Sequence, residues 1–85
     1  MTRVFIDPGH GPGNVEPGRF DPGAVGNGHT EAAIARKWAE TLAYIGKVQF
    51  GAAMILPDER AERPVARRAS EAVQHGATHL ISLHC

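Results

Sequence analysis

VFIDPGHGPG, residues 4–13, decides the fold. Val4, Phe5 and Ile6 form a short apolar run that Asp7-Pro8-Gly9 closes, the pattern of a buried strand ending in a turn. The turn accounts for the proline and glycine but not for His10. The segment that follows, residues 8–28, holds seven glycines and four prolines, with a second Asp-Pro-Gly at 21–23. That composition excludes regular structure, and a connection of this length in a compact domain is expected to be functional or disordered.

Beyond it, Thr30 is a suitable N-cap for a helix running to about Tyr44, with Gly46 as its stop. Ile34, Ala35, Trp38, Leu42 and Ile45 recur at helical spacing as its apolar stripe, and Glu31 heads that stripe. Val48-Gln49-Phe50 and Met54-Ile55-Leu56 each read as strand, and strand position within 47–60 stays open. A second helix is predicted over Pro64 to His75, with proline in the first turn and Gly76 just past the end. Its buried face would be Val65, Ala69, Ala72 and Val73. Residues 79–84 close the chain with a strand-like run. The order β–α–β–α–β implies an α/β fold with a parallel sheet and right-handed crossovers.

In open α/β sheets, ligands bind beyond the carboxyl ends of the strands. His10 follows the first strand, His84 ends the last, and Glu31 opens the helix that returns from that same rim. Each has an ordinary reading alone: a loop histidine satisfied by backbone, a strand-end histidine, a first-turn acid complementing the helix dipole. Together, two imidazoles and a carboxylate make the His₂Glu set of catalytic zinc sites. An inward carboxylate also needs a cation or hydrogen bonds to meet it. His29 borders the loop as a solvated or substrate-facing residue, His75 suits a helix C-terminus, and His79 has no evident partner.

Composition narrows the classes. Nine Lys+Arg balance nine Asp+Glu over 85 residues, which argues against a nucleic-acid partner. Arg60, Arg63, Arg67 and Arg68 interleave with Glu59, Glu62 and Glu71, the pattern of a solvated helix face. A single cysteine, Cys85, excludes an internal disulfide and a Cys-rich zinc finger. No run approaches the roughly 20 apolar residues of a membrane span. The N-terminus enters a strand pattern without an apolar signal segment, so synthesis in the cytoplasm is expected. PGHGPG lacks the Lys-Ser/Thr of a phosphate-binding loop.

FIDPGHG, DPGAVGNG followed by TEA, and RRASEAVQHGATHLISLHC resemble, in order and spacing, the zinc-dependent N-acetylmuramoyl-L-alanine amidases of the amidase-3 type. The resemblance covers the whole chain and is weakest from Lys47 to Arg60. It implies that His10, Glu31 and His84 bind one Zn²⁺ and that the substrate is peptidoglycan, cut between N-acetylmuramic acid and L-alanine. It also implies action at the bacterial cell wall and, given the early start of the domain, an endolysin-like enzyme. Arg68, sixteen residues before His84, matches an arginine common in the family, with a structural role expected. Family domains continue past the last histidine and supply a glutamate as general base. No residue here matches that glutamate, Glu16 having only its charge to recommend it. Residues 1–85 are therefore expected to be the N-terminal portion of one larger three-layer catalytic domain. They are also expected to self-associate or rearrange through an exposed sheet edge. A non-catalytic zinc-binding or assembling fragment is the alternative.

Overall fold

The computed structural model of the chain describes residues 2–84, so Cys85 lies outside the described residues. In chain order the elements are β1 (Arg3–Pro8), the two-residue strands β2 (Gly11–Pro12), β3 (Phe20–Asp21), β4 (Val25–Gly26) and β5 (His29–Thr30), then α1 (Glu31–Phe50), β6 (Ala53–Ile55), a 3-10 turn (Val65–Arg67), α2 (Arg68–Gln74) and β7 (His79–Leu83). The main sheet is parallel throughout and ordered β6-β1-β7, as the β–α–β–α–β pattern predicts. Because the first crossover runs from β1 out to β6 and the second runs the opposite way, from β6 past β1 to β7, right-handedness puts α1 and α2 on opposite faces.

β1 is central, and its alternation divides the core. Phe5 and Ile6 are both fully buried. Phe5 and Asp7 turn to the α2 side, where the Phe5 ring lies 5.4 Å from that of His75 and 5.6 Å below the Arg63 guanidinium. Ile6, one residue out of phase, faces the α1 side. There α1 presents Ala32, Ala35, Ala39 and Gly46, a row of small residues that lets the helix approach closely.

α1 departs from the predicted helix in two ways. It passes through Gly46 and stops at Gly51, which takes the left-handed conformation (φ 62°) and donates its N–H to the Gly46 carbonyl. Gly46 is needed for space, since a Cβ there would sit 2.6 Å from the Met54 sulfur. The buried stripe is also rotated from the predicted one, leaving Trp38 52% exposed. Small residues won the sheet-facing side because the distance of approach, not side-chain size, sets the packing there. The Thr30 N-cap is as predicted: its hydroxyl accepts from the Ala33 N–H at 3.1 Å.

The open middle segment resolves as helix to Phe50 and strand over Ala53–Ile55. α2 ends as predicted, with His75 at the C-cap and Gly76 at φ 71°. Its buried face is the predicted one only at Ala72. Val65, Ala69 and Val73 are exposed, and Ala72 is buried together with Arg68.

The glycine-rich segment is irregular for most of its length but carries two short antiparallel pairings, β2 with β3 and β4 with β5. These fold it back on itself and pin it to the chain before α2. Arg63 N–H donates to the Pro12 carbonyl at 2.9 Å, Val65 N–H to the Asn14 carbonyl at 3.1 Å, and Gly18 N–H to the Glu62 carboxylate at 2.9 Å. No helix among the described residues is long and apolar enough to cross a membrane.

Candidate metal centre

Three elements deliver His10, Glu31 and His84 to one point on the carboxyl rim of the sheet. His10 follows β1, Glu31 is the first residue of α1, and His84 follows β7. One ligand-type atom from each lies within 4.8 Å of the other two. Glu31 Oε2 is 3.0 Å from His10 Nε2 and 3.7 Å from His84 Nδ1, and the two imidazoles meet edge to face with centroids 5.3 Å apart. Around a four-coordinate zinc with bonds of about 2.0–2.2 Å, ligand atoms lie roughly 3.3–3.6 Å from one another. The observed spacing brackets that value, and the donor set of two nitrogens and one carboxylate oxygen suits a borderline-soft divalent cation.

The remaining polar atoms of these side chains are also engaged. His10 Nδ1 meets Asp21 Oδ2 at 2.9 Å, and Asp21 further accepts from Asn14 Nδ2 (2.7 Å) and the Gly23 N–H (3.0 Å). Glu31 Oε1 accepts from the Ala24 N–H at 3.1 Å. His84 Nε2 lies 3.2 Å from the Ser82 hydroxyl. The hydrogen bond to Asp21 raises the His10 pKa above its ordinary value, with Glu31 adding to the effect and burial opposing it. The His10 hydrogen bond, followed by those from Asn14 and Gly23, lowers Asp21 to about 2.

The family model for N-acetylmuramoyl-L-alanine amidase matches residues 4–85. The chain belongs to the N-acetylmuramoyl-L-alanine amidase family. No curated protein and no solved structure gives a match. The amidase family takes its name from the peptidoglycan amide that its members hydrolyse, between the muramoyl group and L-alanine.

Several features that hold this cluster in shape are not apparent in the sequence reading. His10 has φ 62°, a left-handed conformation that costs a non-glycine residue roughly 1–2 kcal/mol. Such strain collects at functional sites, and here it turns the ring toward Glu31. Gly9 and Gly23 wall the centre. A Cβ on Gly9 would sit 2.5 Å from the His84 ring, and one on Gly23, itself at φ 68°, would sit 2.8 Å from the His10 ring and 2.9 Å from Glu31.

Arg63 and Arg68 are not part of a solvated face, although Arg60 and Arg67 are exposed as predicted. Both are more than nine-tenths buried, with Asp7 between them. Asp7 Oδ1 accepts from Arg63 Nη2 at 2.7 Å and from Arg68 Nη1 at 2.9 Å. Arg63 Nε also reaches Glu71 at 3.0 Å, and Arg68 donates to the carbonyls of Pro8 (2.9 Å) and His10 (2.8 Å). Arg68 thus ties α2 to the backbone that carries His10. Interleaved charges predicted a solvated surface because sequence spacing does not reveal that Asp7 waits beneath two of the arginines.

The other sequence candidates lie elsewhere. Glu16 pairs with Arg19 at 3.2 Å on the surface, His29 is exposed in β5, and His79 Nδ1 lies 2.9 Å from the Thr78 hydroxyl. A cavity of about 430 Å³ opens beside His10, lined by Pro12, Phe20, Ala33, Lys37 and Asp58 among others.

Proposed function

We propose that His10, Glu31 and His84 hold a catalytic zinc ion and that the chain forms the metal-binding portion of a peptidoglycan amidase, cutting between N-acetylmuramic acid and L-alanine. The observation that carries this reading is the meeting of three ligand-type atoms within 4.8 Å from residues 21 and 53 positions apart in sequence. When bound there, zinc supplies the Lewis acidity that polarises an amide carbonyl and makes water nucleophilic near neutral pH.

The chain's own residues supply orientation. Asp21 holds His10 by Nδ1, so Nε2 is the nitrogen turned inward. The Ala24 N–H holds Glu31 by Oε1, so Oε2 is the oxygen turned inward. The half-exposed His84 side chain leaves one side of the centre open to a polymeric substrate. In this reading the general base, which the resemblance assigns to a later glutamate, comes from another part of the catalytic domain.

The test is release of peptides with a free L-alanine amino terminus from purified peptidoglycan by the chain joined to the rest of the catalytic domain, measured by mass spectrometry with chelator and with zinc restored. Release that zinc restores supports the proposal. Cleavage at another bond, or cleavage indifferent to chelation, contradicts it. A non-catalytic, self-associating zinc module is the second reading. Leu80 and Ile81 on β7 favour it, being 43% and 39% exposed on a strand whose outer edge has no pairing partner among the described residues. Stoichiometric zinc in particles larger than a 9.1 kDa monomer by light scattering, with no peptide release even when the rest of the catalytic domain is supplied, would select that reading.

A further inference from the structure

Parallel register lines up three cross-strand pairs on one face of β1 and β7: Phe5 with Leu80, Asp7 with Ser82, and one step beyond the ladder Gly9 beside His84. In each strand these positions are two residues apart, so their side chains leave the sheet on the same side. The consequence is a chain of polar contacts that starts in the buried core and ends at the metal centre.

Asp7 is its root. Two guanidinium groups share Oδ1, and Oδ2 accepts from the Ser82 hydroxyl at 2.8 Å. A carboxylate held between two arginines is an acceptor only, so the single hydroxyl hydrogen of Ser82 is committed to it. Toward His84 Nε2, 3.2 Å away, Ser82 then has only lone pairs to offer. Nε2 must therefore carry the ring hydrogen, and the lone pair of the neutral imidazole is left on Nδ1. Nδ1 is the nitrogen that lies nearer the centre, 3.7 Å from Glu31 Oε2.

We infer that Ser82 is a positioning residue, relaying the buried Asp7–Arg63–Arg68 cluster to His84 so that His84 binds metal through Nδ1, while His10 binds through Nε2. The inference rests on the proposed metal reading of the trio. It makes the two histidines of one site opposite tautomers, each fixed by an acid: His10 by Asp21 directly, His84 by Asp7 through one hydroxyl. Gly9 belongs to the same device, because only a residue without a Cβ leaves space for the ring in this pose. Such supporting hydrogen bonds typically change metal affinity by about 10- to 100-fold when removed.

The experiment combines zinc affinity with a spectroscopic readout of the ring nitrogens. Zinc Kd is measured by competition with a chromophoric chelator for the parent, Ser82→Ala and Ser82→Thr. Long-range proton–nitrogen correlation spectra of ¹⁵N-histidine protein assign the protonated nitrogen of each ring. Expected are a hydrogen on Nε2 of His84 and on Nδ1 of His10 in the zinc form, an affinity loss of about tenfold or more in Ser82→Ala, and recovery in Ser82→Thr. Zinc on Nε2 of His84, or parental affinity in Ser82→Ala, overturns the inference. A parent that takes up no zinc overturns the metal reading instead. The relay is then judged in metal-free protein, where a single Nε2–H form of His84 that becomes a mixture in Ser82→Ala supports it, and a mixture in the parent overturns it.

Discussion

Replacing Gly9 by alanine should remove most of the metal affinity while the fold survives. The added Cβ would stand 2.5 Å from Cε1 and 2.6 Å from Nδ1 of His84. Ordinary non-bonded contacts begin near 3.5 Å, so the ring has to retreat by about 1 Å. The backbone cannot give way instead, because the Gly9 N–H donates to the Leu83 carbonyl at 2.9 Å and the same Cβ would lie 2.9 Å from that oxygen. The ring can move, its side chain being 55% exposed. Metal–ligand bonds tolerate about 0.2 Å, so a displacement of about 1 Å takes His84 out of the coordination sphere. The expected loss is about 100-fold in zinc affinity, or about 2.7 kcal/mol. Crowding against a mobile ring should cost about 1–3 kcal/mol of folding stability. Chelator competition gives the first quantity, and urea denaturation in excess chelator gives the second. Parental zinc affinity in Gly9→Ala would refute the geometry, and so would complete unfolding of the metal-free variant.

Arg68→Ala leaves Asp7 with one arginine and releases the Pro8 and His10 carbonyls, so it should destabilise the metal-free protein by about 3–5 kcal/mol in urea melts. In excess chelator, Asp21 contributes stability that is present above its ordinary 3.8 and is lost as pH falls toward about 2. The raised His10 contributes stability that is present below 6.5 and is lost as pH rises through its folded value. Thermal midpoints of the metal-free protein should therefore peak between these ranges and decline on the alkaline side. Zinc affinity should climb there instead, because the metal displaces the His10 proton. Asp21→Asn should bring the His10 titration, followed by NMR, back toward 6.5.

The rim of the sheet was legible because it follows from order alone. A strand closed at Asp7, a helix capped by Thr30 and a strand ending at His84 place three ligand-type residues at one edge, whatever the packing between them. The details of that packing were not legible. The apolar stripe through Trp38 looked like the core face, yet a parallel sheet at close range selects Ala32, Ala35 and Ala39, which carry too little hydrophobic signal to stand out. Gly46 read as a helix stop because a glycine placed for proximity is indistinguishable in sequence from one placed for φ. Arg63 and Arg68 read as surface because their partner, Asp7, lies 56 and 61 residues away. Asp21 stood out only as the start of a second Asp-Pro-Gly turn and Ser82 only within a terminal strand, since hydrogen bonds to a histidine's far nitrogen leave no periodicity. In each case the missing information is a long-range contact, whereas caps, turns and alternation are local.

The central claim is a shared divalent ion, and elemental analysis after zinc loading and gel filtration tests it most directly. One zinc per chain in the parent is predicted, falling to background in His10→Ala, Glu31→Gln and His84→Ala alike. No zinc in the parent, or a full equivalent retained after any one of those three changes, would contradict it.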